Sequence, residues 1–285
     1  MIRPDLPEKM EFLLIVSDPG IARFVHDSGV ARLFVDLEHI GKDQRQKGLD
    51  TWKSKQSPAD VTRIREAVPE GHLLVRVNPL YEGTAAELDD VIARGADSVM
   101  LPMFQGTDDL ARFLDLLNGR VEAVPLIETV AALKAAPEFS QRLPLTRVHI
   151  GLNDLHLDLK QDFMFQPLAE GMLDEAAAAF RANGVRFGIG GVARAGEGIV
   201  SPEYLLGEHV RLGSDAAILS RTLHRGAPDV ATMKAEMDFP AELAKLQMIY
   251  ARFREADAQT LEANRIATGE RVRDVVTLIR NKRGN

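Results

Sequence analysis

Eight short β-rich runs, at about residues 11–17, 32–37, 72–77, 97–101, 121–127, 147–151, 185–189 and 215–219, recur along this 285-residue chain. Between them lie stretches whose apolar residues are spaced for one buried helical face, among them Ala85–Ala93, Asp108–Leu117, Pro167–Ala182 and Pro202–Val210. Strands that alternate with helices pair in parallel, because each helix carries the chain back to the same end of the sheet. Eight such units fit a closed (β/α)8 TIM barrel, an α/β fold, with a doubly wound open sheet as the rival. Against the open sheet, no Gly-rich turn follows the first run, and polar residues follow many strands rather than one switch point. Asp18-Pro19 and Ser201-Pro202 read as an N-cap followed by an N1 proline, and Gly29, Gly95 and Gly184 are placed to end helices.

Two stretches exceed this rhythm. Residues 38–57 form a polar insert long enough to act as a lid or a subunit contact. After residue 228 the pattern is helical, at about 237–265 and 269–282. The chain therefore divides into a barrel catalytic domain over 1–228 and a C-terminal helical extension over 229–285. Leu243, Leu246, Ile249, Tyr250 and Phe253 form a stripe at helical spacing that needs a partner, either its own barrel or a neighbouring subunit.

Composition excludes several functions. Without cysteine there is no thiolate nucleophile, disulfide or thiolate metal site, which fits a reducing compartment. With 35 Lys+Arg against 42 Asp+Glu, a net charge of −7 and no basic cluster, nucleic acid and anionic membranes are not expected partners. The N-terminus lacks the apolar core of a signal peptide, and no run approaches the ~20 apolar residues of a membrane span. The expectation is a soluble cytoplasmic protein.

The candidate chemistry lies where strands end. Residues at the C-terminal ends of barrel strands share one mouth. Glu128 closes Val-Pro-Leu-Ile-Glu and Asp154 follows Gly151-Leu152-Asn153, about one strand-plus-helix repeat later. Two carboxylates from separate strands suit a hard divalent cation, Mg²⁺ or Mn²⁺ with Co²⁺ as a further option, that leaves positions for water and a chelating substrate. The bland alternative is that Glu128 caps the following helix and Asp154 makes a local turn bond. Arg76 ends an otherwise apolar run and faces either a structural carboxylate or an anionic substrate oxygen. His39 is the candidate proton carrier, since imidazole titrates near neutral pH, with Asp36 as its candidate orienting partner and Glu38 as a further candidate. Gly190 and Gly191, in the glycine-rich stretch after the seventh run, are weak candidates for anion binding through backbone N–H groups. His149, within a run, reads as core.

The order Phe34-Val-Asp-Leu-Glu-His39, Val75-Arg76, Gly95-Ala-Asp-Ser-Val-Met-Leu-Pro-Met-Phe-Gln105, Pro125-Leu-Ile-Glu-Thr129 and Ile150-Gly-Leu-Asn-Asp-Leu155 resembles the HpcH/HpaI aldolase and citrate lyase family over about residues 11–225. The resemblance implies a (β/α)8 barrel whose extra C-terminal helix often swaps between subunits of a homo-oligomer, a trimer or hexamer. It implies a divalent metal on Glu128 and Asp154, Arg76 on the keto or enolate oxygen of pyruvate, and His39 with Asp36 assisting proton transfer. Gly151 matches the glycine beside the bound keto acid, with Leu152 and Asn153 expected to contact substrate. Leu37 stands where the aldolase branch has glycine, Leu152-Asn153 replaces its Pro-x, and the Arg-Ser-x-Leu-Phe opening of the acyl-CoA lyases is missing. The expected activity is a metal-dependent carbon–carbon lyase or aldolase joining a 2-oxo acid to an aldehyde or acyl partner. The alternatives are an acyl-CoA lyase, an enzyme of phosphoenolpyruvate or a phosphorylated aldehyde, and a non-catalytic barrel subunit.

Overall fold

In the computed structural model, which describes residues 3, 5–42, 55–220, 223 and 226–283, eight parallel strands close into a barrel in sequence order. The strands are β1 Glu11–Ile15, β2 Arg32–Asp36, β3 Leu73–Arg76, β4 Ser98–Leu101, β5 Glu122–Ile127, β6 Arg147–Ile150, β7 Arg186–Val192 and β8 Ala216–Leu219. The helices between them are α1 Pro19–Asp27, α2 Pro58–Ala67, α3 Thr84–Ala93, α4 Thr107–Leu117, α5 Val130–Arg142, α6 Leu152–Asp158, α7 Gln166–Ala169, α8 Asp174–Ala182 and α9 Pro202–Leu212. The open-sheet alternative is excluded by the pairing of β1 with β8.

Local chemistry sets the boundaries. Asp18 accepts a hydrogen bond from the Ile21 N–H at 2.8 Å and caps α1 ahead of Pro19, as expected. The helix expected over Pro167–Ala182 is instead two, α7 and α8, because Gly171 takes φ +74° and turns the chain between them. The role expected of the 38–57 insert falls on residues 43–54, which lie outside the described residues.

The barrel lumen is stacked in three tiers. At its N-terminal end, Arg32, Arg147 and Arg186 interleave with Glu11, Glu122 and Asp215: Arg32 Nε lies 3.3 Å from Glu11, Arg147 contacts Glu11 at 3.0 Å and Asp215 at 3.3 Å, and Arg186 contacts both acids. Above this ionic ring Leu13, Phe34, Leu74, Met100, Val124, Leu126 and Ala216 form an apolar plug. The third tier, at the C-terminal ends of the strands, is charged again. The larger apolar core fills the space between strands and helices.

Beyond β8 the chain adds α10 Val230–Glu236, α11 Phe239–Arg254 and α12 Ala258–Arg283. The break between the last two falls at 255–257, where Asp257 accepts from the Thr260 N–H, and not near 266–268 as the sequence pattern predicts. Gly269 stays helical because this face of α12 is buried, with Thr268 fully enclosed. The stripe of α11 is covered by its own barrel: Leu243, Leu246, Tyr250 and Phe253 are buried, Gln247 exchanges hydrogen bonds of 3.0 and 2.9 Å with the Met10 backbone, and Tyr250 donates to the Pro7 carbonyl. Among the described residues no helix is long and apolar enough to cross a membrane.

Candidate active site

Asp36 and Arg76 end neighbouring strands and are paired residues in the parallel ladder of β2 and β3. Both side chains therefore point into the mouth from adjacent positions. The guanidinium donates to Asp36 through Nε and through Nη2, each at 2.8 Å, the two-pronged geometry that arginine and carboxylate favour. Its third nitrogen, Nη1, lies 3.8 Å from Glu128 Oε1, and Nε lies 3.5 Å from Glu38 Oε2. The Phe34 ring supports the guanidinium from below, 5.7 Å from Cζ.

Burial by itself would raise the Asp36 carboxyl, but the charges of Arg76 and Lys42 outweigh it and hold the group down at about 2. Burial likewise opposes the charge on Arg76, and Asp36, Glu38 and Glu128 more than restore it. Asp36 is thus an ionised anchor for Arg76.

Glu128 follows β5 and is 4% exposed. It does not cap α5: that position belongs to Thr129, whose hydroxyl accepts from the Ala132 N–H at 3.1 Å, while Asp158 accepts from the Val130 N–H. With the capping role taken, the Glu128 carboxylate turns into the mouth. Gly151 makes room for it, since an added Cβ there would lie 2.7 Å from Glu128 Cγ and 2.9 Å from Oε1. Asp154 stands in the first turn of α6.

A cavity of about 410 Å³ unites these groups, within the usual size of small-ligand sites. Asp36, Arg76, Glu128, Gly151, Leu152, Asn153, Asp154, Gly190 and Gly191 all line it. The structure therefore brings together every expected site residue except His39 and Glu38. Glu38 is buried just behind, against Arg76 and Lys42.

His39 is exposed and turned away. The Asn78 side-chain oxygen accepts from the backbone N–H groups of both His39 and Ile40, at 3.0 and 2.9 Å, which folds the turn outward. The His39 ring contacts the Leu37 carbonyl at 3.1 Å, and Asp36 is engaged by Arg76 and Lys42. The expected His39–Asp36 pairing is not formed.

Two titratable lining residues were not among the site candidates of the sequence. Lys42 reaches back from the turn after β2 and sets Nζ 3.1 Å from Asp36 Oδ2 and 3.4 Å from Glu38 Oε2. His149, expected as core, sits at the cavity floor with Nε2 3.4 Å from the Gly190 carbonyl. Burial pushes its pKa down to about 4, so its imidazole is neutral at physiological pH. The signal for His149 was its partner Gly188: the two are paired across β6 and β7, and an added Cβ on Gly188 would overlap the ring.

Gly190 has a packing reason for its identity. It adopts φ +41°, and a Cβ there would lie 2.9 Å from Leu152 Cδ1.

The donor set fits a divalent cation. Glu128 and Asp154, from the ends of two successive strand-helix units, both present carboxylates to the cavity. Hard carboxylate oxygens in that number are what Mg²⁺ takes from a protein when water and substrate complete its shell. The glycine opposite Glu128 keeps a carboxylate in a space that any other residue would fill.

No family model matches the chain, and no curated protein does. Solved structures do resemble it. An HpcH/HpaI aldolase/citrate lyase family protein from Burkholderia cenocepacia J2315 superposes with a TM-score of 0.60 at 15% identity, covering 87% of this chain and 96% of that one. An HpcH/HpaI aldolase from Desulfitobacterium hafniense DCB-2 gives 0.57 at 16%, covering 75% and 86%. A citrate lyase beta subunit from Mycobacterium tuberculosis, complexed with oxaloacetate and magnesium, gives 0.57 at 15%, covering 85% and 97%. At these identities the likeness is one of fold, and the fold implied by the motifs of the sequence is the fold these structures have.

Proposed function

We propose that this protein is a divalent-metal-dependent carbon–carbon lyase of the aldolase type, acting next to a 2-oxo acid, most simply pyruvate. The observation that carries the reading is Arg76. It is fixed by two hydrogen bonds to Asp36 and lines the cavity that also receives Glu128 and Asp154. Solved structures of the same fold include one complexed with magnesium and pyruvate, which supports the same chemistry.

In this reading Glu128 and Asp154 hold the cation, and a bound cation supplies Lewis-acid polarisation of the carboxylate and keto oxygens. Arg76 presents a fixed positive donor to the keto oxygen, where negative charge grows as the enolate forms. Asp36 keeps that donor aimed. Gly151 leaves space beside Glu128 for the planar acid. Leu152 and Asn153 line the same wall. His149, neutral by burial, offers the site a hydrogen-bonding imidazole without adding charge.

The experiment is proton exchange. Metal-stripped protein is supplied with Mg²⁺, Mn²⁺ or Co²⁺ and pyruvate in D₂O, and the methyl signal is followed by NMR. Metal-dependent loss of the signal is the expected result. No exchange with any of the three metals would remove the enolate assignment and turn attention to thioester or phosphorylated substrates. The glycine-rich stretch is the feature that favours those substrates, although Gly190 also has a packing reason in its contact with Leu152.

A further inference from the structure

Lys42 is the charged group in the cavity for which enolate formation has no use. Its side chain is 7% exposed, yet it lines the cavity, and its ammonium rests on two carboxylates. Burying a lysine is costly, and here the two carboxylates beside it offset part of that cost.

The order of charges around the mouth indicates what Lys42 faces. Glu128 stands beside Arg76, Arg76 beside Asp36, and Asp36 beside Lys42. This sequence follows the strands, from β5 through β3 and β2 to the turn beyond β2. A 2-oxo acid held at Glu128 and Asp154 with its keto oxygen toward Arg76 is separated from Lys42 by the Asp36 carboxylate. Lys42 lines the same cavity on the far side of Asp36 from Arg76, so a second reactant joined to that acid shares the chamber with its ammonium. An ammonium has three N–H donors; Lys42 donates one to Asp36 at 3.1 Å and forms an ion pair with Glu38 at 3.4 Å.

Building on the enolate reading, we infer that Lys42 is a catalytic residue for the carbon–carbon step, the donor that meets the carbonyl oxygen of the aldehyde. When C3 of the enolate attacks, the C3–C4 bond forms and the carbonyl π pair moves onto that oxygen. The oxygen becomes an alkoxide beside the Lys42 ammonium and takes its proton from water to give the 4-hydroxyl. Cleavage runs the same path backwards: water accepts the hydroxyl proton, the C3–C4 pair returns to the enolate, and the aldehyde leaves. Lys42 Nζ lies against two carboxylates, at 3.1 and 3.4 Å, and its role in this step is that of a hydrogen-bond donor.

The test separates the two halves of the reaction in wild type, Lys42→Met and Lys42→Arg, all loaded with Mg²⁺. One assay follows loss of the pyruvate methyl signal in D₂O; the other follows aldol formation from pyruvate with formaldehyde, acetaldehyde or glyoxylate. Lys42→Met is expected to lower aldol formation about 10²–10³-fold, the scale of losing one oxyanion donor, while lowering methyl exchange by far less. Lys42→Arg is expected to recover part of the aldol rate. Equal falls in both assays would make Lys42 a prop for Asp36 and overturn the inference, as would full aldol activity in Lys42→Met. A wild type that exchanges pyruvate protons but forms no aldol with any of the three aldehydes also overturns it. A wild type that does not exchange at all fails the enolate reading itself.

Discussion

The Cα of Gly151 faces the Glu128 side chain so closely that a Cβ added there would lie 2.7 Å from Cγ and 2.9 Å from Oε1. Neither residue has room to retreat, since Glu128 is 4% exposed and the end of β5 is buried. Gly151→Ala is therefore expected to cost about 1–3 kcal/mol of stability, the usual range for overpacking. It is also expected to swing the carboxylate away from Asp154. Thermal unfolding reads the first effect and Mn²⁺ binding the second; a variant that binds Mn²⁺ like wild type would show that Glu128 tolerates the shift.

Glu128→Ala and Asp154→Ala should each abolish metal binding and metal-dependent methyl exchange together, because each removes one of two anionic oxygen donors. Thermal stability should survive, as Thr129 and Asp158 retain the cap of α5. Calorimetric titration with Mg²⁺ beside the exchange assay checks both, and full exchange in either variant would sink the metal assignment.

Arg76→Ala is expected to slow exchange about 10²–10³-fold if the guanidinium stabilises the enolate oxygen as an oxyanion donor does. Arg76→Lys should recover little, since an ammonium cannot reproduce the two parallel hydrogen bonds to Asp36. A loss confined to unfolding midpoint, with exchange intact, would assign Arg76 to structure alone.

The buried imidazole of His149 makes stability depend on pH. Its pKa is about 4 in the folded protein against 6.5 for the ordinary group, so between these values the unfolded chain binds the extra proton. Its contribution is complete above pH 6.5 and declines as pH falls toward 4, by roughly 3 kcal/mol in total. His209, pushed to about 3 by burial, acts in the same direction. The difference between wild type and His149→Gln in urea unfolding at pH 7, 5.5 and 4 isolates the first residue; parallel profiles would show that His149 accepts its proton without penalty.

At the crossing of α9 and α12, an added Cβ on Gly207 would overlap the Asn264 side chain, which donates to the Tyr204 carbonyl at 3.0 Å. Gly207→Ala is expected to destabilise the protein by about 1–3 kcal/mol and to raise hydrogen exchange along α12 selectively. Uniform exchange across the molecule would place the loss in the barrel.

The barrel was readable in the sequence because strand and helix differ in period, and each of the eight runs lies within a residue or two of its strand save the seventh, which extends to Val192. Arg76, Glu128 and Asp154 could be placed at the mouth for a related reason: a charged residue at the end of a buried strand, or in the turn just after it, has one mouth to enter. The outward placement of His39 was not readable because the contact that sets it is Asn78, 39 residues away. Lys42 was hidden in a polar run where lysine is ordinary, and its burial depends on the turn after β2 folding back onto Asp36 and Glu38. The division of α7 from α8, and the continuity of α12 through Gly269, turned on tertiary burial that local propensity does not carry.

The ionic ring at the N-terminal end of the lumen bears on how the barrel is born. Glu11 opens β1; its arginine partners Arg147 and Arg186 come from β6 and β7, and Asp215, which shares both arginines, stands just before β8. As the polypeptide leaves the ribosome, β1 must wait some two hundred residues for the neighbour that seals its outer edge. Throughout that interval an inward-facing carboxylate marks the waiting strand, discouraging wrong partners at an unpaired edge. When Asp215 arrives it joins Arg147 and Arg186, the ring of three arginines and three acids is complete, and the charge that guarded the open seam becomes the clasp that shuts it.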